Sequence, residues 1–228
     1  MISEKSLQRL RELIQLVAEA DTDDFFELAR VAGLNPAKDF CTANLSGLDL
    51  RSAQLAEANL IGTNLAHANL VNADLSNATL IGASLIGANL ISANLNGANL
   101  ISANLNGANL ISAKLLSANL TGANLMNATL NHADLRRATL MDAKLDGASL
   151  RSVTLSHTDL RRISLTGVDL SGASLYGANL TNSDLRWADL SDTNLAGAKL
   201  DKTRLGGNSG LSKAVCQDLK QRGAVFEN

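Results

Sequence analysis

Three histidines, two cysteines, a run of arginines and one tryptophan are the side chains of this 228-residue chain best suited to chemistry or recognition. His67, His132 and His157 stand apart from one another, each two places after a leucine of a repeating pattern. Serines and acids are abundant, but none lies in a nucleophile elbow or a glycine-rich phosphate loop. No residue is therefore assigned a catalytic, cofactor-binding or metal-binding role, and the chain is expected not to be an enzyme.

Recognition is a better match to what remains. Between residues 136 and 162 lie Arg136, Arg137, Lys144, Arg151, Arg161 and Arg162, opposed by Asp142, Asp146 and Asp159. Arg186 and Trp187 follow. Arginine and tryptophan are favoured interface types. The local excess of positive charge is small for nucleic acid, whose affinity grows with the number of phosphates neutralised. The competing reading is an ordinary solvated surface of mixed charge. Bulky apolar residues form a second set: Ile61, Val71, Ile81, Ile91, Ile101 and Ile111. They would either stabilise one another by stacking or form a protein-binding stripe.

The element that must position these residues is a five-residue repeat. Leucine occupies every fifth position from Leu45 to Leu205, thirty-three times without exception. Residues 91–110 read ISANLNGANL twice in succession. Alanine stands two places before the leucine in 24 of the 33 units. The exceptions are Leu48, Thr63, Val153, Thr158, Ile163, Val168, Ser183, Thr193 and Thr203. A period of five makes no stripe on an α-helix, because successive leucines fall roughly 140° apart. On a continuous strand an odd period throws them onto alternate faces. Ala-x-Leu does share one face of a short strand, so bending the chain once per unit keeps every pair inside. The expected fold class is an all-β solenoid.

Units such as Ala73-Asp74-Leu75, Ala93-Asn94-Leu95 and Ala133-Asp134-Leu135 match the A(D/N)LXX motif, and the chain resembles the pentapeptide repeat proteins over 161 of its 228 residues. The resemblance implies a right-handed quadrilateral β-helix of about eight coils, with twenty residues per coil. It places Ile61, Ile81 and Ile101 in one outer row and Val71, Ile91 and Ile111 in the opposite one. Asn69, Asn89 and Asn109 would form a ladder of side-chain amides. The three histidines would occupy different columns and build no metal site. Some relatives mimic duplex DNA and act on DNA gyrase, a topoisomerase. That reading is disfavoured here, because residues 41–205 hold 12 acids and 12 lysines or arginines, a neutral rod.

The ends are not repeats. Residues 1–40 read as an N-terminal helical hairpin, 41–205 as the β-helix, and 206–228 as a C-terminal helical cap. In the first segment Leu7, Leu10, Ile14 and Val17 follow helical spacing, and Phe40 is in phase with the leucines. In the last, Ser212 is the expected N-cap and Gly223 the stop of a helix. Such caps would cover the unpaired end coils. Cys41 and Cys216 lie at opposite ends of the expected rod, so no intramolecular disulfide is expected and the compartment reads as the cytoplasm. The charge-free stretch from residue 75 to residue 113 is broken throughout by Asn, Ser and Gly, so no membrane span is expected. Partners are expected to be protein, not nucleic acid, with no small-molecule substrate. The chain would be a monomer or an end-to-end dimer. The expected function is a non-enzymatic rigid scaffold for protein–protein interaction, with a structural protein lacking a specific partner as the remaining alternative.

Overall fold

The computed structural model describes residues 33–227 together with residues 8, 12, 15, 29 and 30. Those five isolated residues are helical, and a short helix α1 (Pro36–Asp39) leads into the first repeat. The remainder of the expected N-terminal hairpin lies outside the described residues.

From Phe40 onward one local geometry recurs. The carbonyl of nearly every central residue accepts from the N–H three places on, as in Ala73 to Leu70 at 3.0 Å and Ala103 to Leu100 at 3.0 Å. The second residue inside that loop has positive φ, +56° at Ser92 and +68° at Gly97, while the first does not. This is the signature of a type II β-turn. The turn explains the period: three extended residues make a side and two make a corner. It also explains why Gly, Asn, Ser, Asp and His recur two places after the leucine, since glycine and small polar residues tolerate the left-handed region best. Phe40 takes a leucine's place, buried and accepting the turn bond from Ala43 at 3.1 Å.

Corners repeat in register with the coil. Parallel bridges pair the residue just before each central leucine with the one twenty places later, from Asn44 with Asn64 to Asp189 with Ser209. Three backbone bonds tie neighbouring coils on each side. For one side these are Leu70 to Asn89 at 2.7 Å, Asn72 to Ile91 at 3.0 Å, and Asn89 to Ala68 at 2.9 Å. Four five-residue sides thus close one coil, and the fold is a four-sided β-helix. Its sides appear as isolated bridges and not as strands, because three extended residues are too few for a longer ladder.

The interior is a continuous column. Every central leucine from Leu45 to Leu205 is buried, and so is almost every residue two places before it. The hydroxyl exceptions to alanine have a use. Thr63, Thr158, Ser183, Thr193 and Thr203 donate to the carbonyl 23 residues earlier, as in Thr158 to Leu135 at 2.7 Å. That carbonyl also receives the turn bond from Ala138, so both its lone pairs are used.

The chain leaves the repeats through β1 (Arg204–Leu205). Helix α2 (Lys213–Gln221) follows, with Ser212 as N-cap accepting from Val215 at 3.3 Å. Strand β2 (Val225–Phe226) then returns parallel to β1, with Arg204 opposite Val225. Leu219 is buried against the core, and the Arg222 guanidinium donates to the carbonyls of Leu195 at 2.7 Å and Ala198 at 2.6 Å. A side chain on Gly206 would overlap the Glu227 carbonyl, so the return of β2 requires glycine there.

Candidate interaction surface

The twenty-residue coil decides which sequence-predicted residues meet. Ile61, Ile81 and Ile101 stack at one corner, and Val71, Ile91 and Ile111 stack at the corner two sides away. Within these rows only Ile61 is exposed; the other five are half-buried against their neighbours above and below. Stacking therefore uses much of this apolar surface internally. The ladder of Asn69, Asn89 and Asn109 is bridged through the backbone, but each Oδ1 turns to its own corner instead. It accepts the N–H two residues on, at 3.4, 3.3 and 3.2 Å. Amide bonds between coils occur at other positions, Asn64 to Asn44 at 3.0 Å and Asn124 to Asn104 at 3.2 Å. The turn N–H is an obligatory donor, and the nearest Oδ1 satisfies it locally.

The arginines do not form one patch. Arg136 with Arg137, Arg151, Arg161 with Arg162, and Arg186 with Trp187 fall at four different corners of the coil. Most are also neutralised. Arg136 pairs with Asp134 at 2.7 Å, Arg161 with Asp159 at 2.7 Å, and Arg151 with Asp169 at 3.6 Å. Arg162 chelates Asp142 one coil away through Nε at 2.8 Å and Nη2. Arg186 binds Asp184 at 2.6 Å and Glu227 at 3.1 Å, and Arg204 binds Glu227 at 2.7 Å. Asp134 and Asp169 lie outside the 136–162 window, and that is why the linear count overstates the charge. The Arg136 and Arg161 bonds hold the Asp134 and Asp159 carboxyls below the usual carboxylate range. Burial pushes the Asp184 carboxyl up, and the Arg186 hydrogen bonds outweigh it and leave it low.

One geometry repeated from residue 40 to residue 209 invites comparison with known repeat families. The family model described as pentapeptide repeats matches in eight copies over residues 39–70, 68–107, 103–142, 143–182 and 169–207. The chain is a pentapeptide repeat protein. Among solved structures it is similar to HetL of the cyanobacterium Nostoc sp. strain PCC 7120, which is involved in heterocyst differentiation regulation. The identity is 39% over 72% of this chain and 76% of that one, with a TM-score of 0.41. A trypsin-treated form of QnrB1, a plasmid-mediated fluoroquinolone resistance protein, shares 19% identity over 82% of this chain and 88% of that one, with a TM-score of 0.65. That likeness is one of fold. Rfr23 of the cyanobacterium Cyanothece 51142 shares 32% identity over 47% of this chain and 88% of that one, with a TM-score of 0.47. A comparison with curated proteins finds none that matches.

In this pentapeptide repeat protein three ring-bearing turn residues, His67, His157 and Trp187, lie along the rod on glycines. Trp187 is 63% exposed, and its ring lies across Gly207 one coil on, where a Cβ would overlap the ring. His67 lies across Gly87 and His157 across Gly177 in the same way. The sequence reading missed this pairing of a large turn residue with a glycine twenty places later. Among the described residues no group of three His, Cys, Asp or Glu is arranged to hold a metal. Cys41 and Cys216 are free thiols. A cleft of about 390 Å³ lies where Leu211, Val215 and Arg222 meet the coil edge at Leu190, Thr193 and Leu195. It lies between the C-terminal segment and the edge of the last coils. No helix among the described residues is long and apolar enough to cross a membrane.

Proposed function

We propose that this pentapeptide repeat protein is a non-enzymatic rigid scaffold that binds a protein partner through the corners of its rod. Trp187 carries the reading. A tryptophan 63% exposed, held flat by a glycine and flanked by Arg186, is a preformed anchor that costs little ordering on binding. Ile61 and the half-buried apolar rows supply a second, flatter contact. The segment at 206–228 serves as a cap of the 41–205 β-helix, and the cap expected at 1–40 lies mostly outside the described residues. The buried Leu219 and the Arg222 bonds to Leu195 and Ala198 support this for the C-terminal end. The protein acts as a monomer or an end-to-end dimer in the cytoplasm.

The test is co-purification from the native host with wild-type protein and with Trp187→Ala and Ile61→Ser variants. A partner retained by the wild type and lost with Trp187→Ala supports the scaffold; identical recoveries for all three overturn it. Action on a topoisomerase by DNA mimicry is the lesser reading. The Arg–Asp pairs leave the rod without an acidic face. Inhibition of gyrase supercoiling at low protein concentration would reverse that ranking.

A further inference from the structure

Of the arginines from 136 to 186, Arg137 alone makes no ion pair among the described residues. It stands in the same turn column as His157 and Gly177, and Arg136, Ser156 and Tyr176 form the column beside it. Backbone bonds fix this corner coil by coil. Arg137 N–H donates to Ser156 at 3.1 Å, His157 N–H to Tyr176 at 2.8 Å, and Gly177 N–H to Ala196 at 2.9 Å. His157 meets Tyr176 edge to face, with ring centroids 5.3 Å apart and planes at 88°. Tyr176 is 49% exposed, and beyond it the corner flattens to Ala196 and Gly197. From residue 116 onward neither column contains an acid. Asp134 and Asp159, on the sides that adjoin this corner, are occupied by Arg136 and Arg161.

We infer that this corner is a docking ridge for an acidic, extended segment of a protein partner, one carboxylate on Arg137 and an apolar side chain on Tyr176. The inference rests on the scaffold reading and adds the partner's chemistry. Charge complementarity selects the sign, since the unpaired charge at this corner is the Arg137 guanidinium. Spacing selects the motif. Arg137 and Tyr176 lie two coils apart, roughly 10 Å at ~4.8 Å per coil, which an extended chain covers in about three residues. The fitting segment therefore carries Asp or Glu with an aromatic or aliphatic residue three places on. The guanidinium fork takes the carboxylate in two parallel bonds. The His157 ring, braced by Gly177 beneath it, holds Tyr176 in place. Nucleic acid is a poorer match, because Arg137 with two carboxylates on the adjoining sides neutralises too few phosphates.

The probe is the fluorescein-labelled peptide GEESSFG, read by polarisation at low ionic strength on the full chain. Its comparators are GKKSSFG, GEESSAG and a labelled twelve-nucleotide DNA strand. The expected result is that GEESSFG binds best, and that Arg137→Ala weakens it about fivefold, the scale of one exposed charge pair. Tyr176→Ala and the GEESSAG peptide each lose about threefold. Arg137→Glu should turn the preference toward GKKSSFG. Arg151→Ala, at another corner and already paired with Asp169, should change nothing. Equal losses in Arg137→Ala and Arg151→Ala overturn the ridge, as does failure of GEESSFG to bind at millimolar protein. Tighter binding of the DNA strand that is lost in Arg137→Ala would replace the acidic segment with nucleic acid. A Trp187-dependent partner surviving any of these failures would leave the scaffold standing and remove only the ridge.

Discussion

Between residues 75 and 113 no side chain is charged, and the outer positions serve the coil itself. Asn89, Asn99 and Asn109 accept turn N–H groups at 3.3, 3.2 and 3.2 Å, and Ile91, Ile101 and Ile111 are half-buried in their stacks. Between residues 134 and 187 the same backbone carries six arginines and the exposed rings of Tyr176 and Trp187. There the core departs from alanine as well, to Val153, Thr158, Ile163, Val168 and Ser183. Backbone bonds and leucines alone hold a coil, so the two turn positions are free in every unit. The first region uses them for self-support and the second presents them to solvent.

If the leucine column is equivalent in both regions, the largest effects must also be the same in both. Leu105→Ala and Leu160→Ala should each cost about 3 kcal/mol, the usual loss for a fully buried leucine. Urea unfolding gives the values. A loss at Leu160 far below that at Leu105 would mean that the second region is loosely packed and the shared backbone argument fails.

Turn glycines separate the regions next. Gly107 and Gly207 have nearly the same φ, +66° and +64°, but Gly107 faces open space while Gly207 lies under Trp187. Alanine at Gly107 should cost about 1 kcal/mol, from the left-handed backbone alone. At Gly207 it should cost about 2 kcal/mol, because the ring must also move. Since Trp187 is the only tryptophan, its emission should shift in the second variant and stay fixed in the first. Thr158→Val is a milder probe of the same region. It removes the 2.7 Å bond to Leu135 but keeps the volume, and should cost about 1 kcal/mol.

How much of this was readable beforehand follows the same division. An unbroken period in Leu45 to Leu205 constrains the backbone, so a solenoid with inward leucines could be deduced, while its four sides and the two apolar rows were implied by the family resemblance. The interior hydroxyls could not, because Thr158 and Ser183 look like tolerated small residues until the carbonyl 23 places back is seen to lie beside them. The arginine cluster was misjudged for a related reason. Proximity along the chain scatters Arg136, Arg151, Arg161 and Arg186 over four corners, while the pairing of Arg162 with Asp142 runs across coils. Folding the sequence on twenty residues exposes both, as it does the glycines under His67, His157 and Trp187.

Acid should distinguish the regions by location. The carboxyls of Asp134, Asp159 and Asp184 lie below their ordinary range in the folded chain. A depressed folded pKa contributes stability that is complete above the unfolded value, near pH 4, and is lost as pH falls through the folded one. Hydrogen exchange between pH 5 and pH 2, corrected for intrinsic rate, should therefore show loosening in coils 134–187 and none in residues 97–111, which hold no carboxylate and lie beyond the Ser76 and Asn94 bonds to Asp74. Uniform loosening would place the acid sensitivity in the shared backbone.

The smallest stability effect is expected at Arg137. Its guanidinium is exposed and without an ion-pair partner among the described residues, and its backbone already lies at φ +59°. Removing the side chain breaks no bond that holds the rod. Arg137→Ala should change the urea midpoint by no more than about 0.5 kcal/mol in equivalent stability, the range of surface substitutions. Arg186→Ala is its counterpart. That residue ties Asp184 to Glu227, at 2.6 and 3.1 Å, and so helps keep β2 on the last coil. Its loss should exceed that of Arg137→Ala and diminish in high salt. Should Arg137→Ala prove the more damaging, the free arginine would belong to the fold, and the ridge it was assigned to would lose its reason to bind anything.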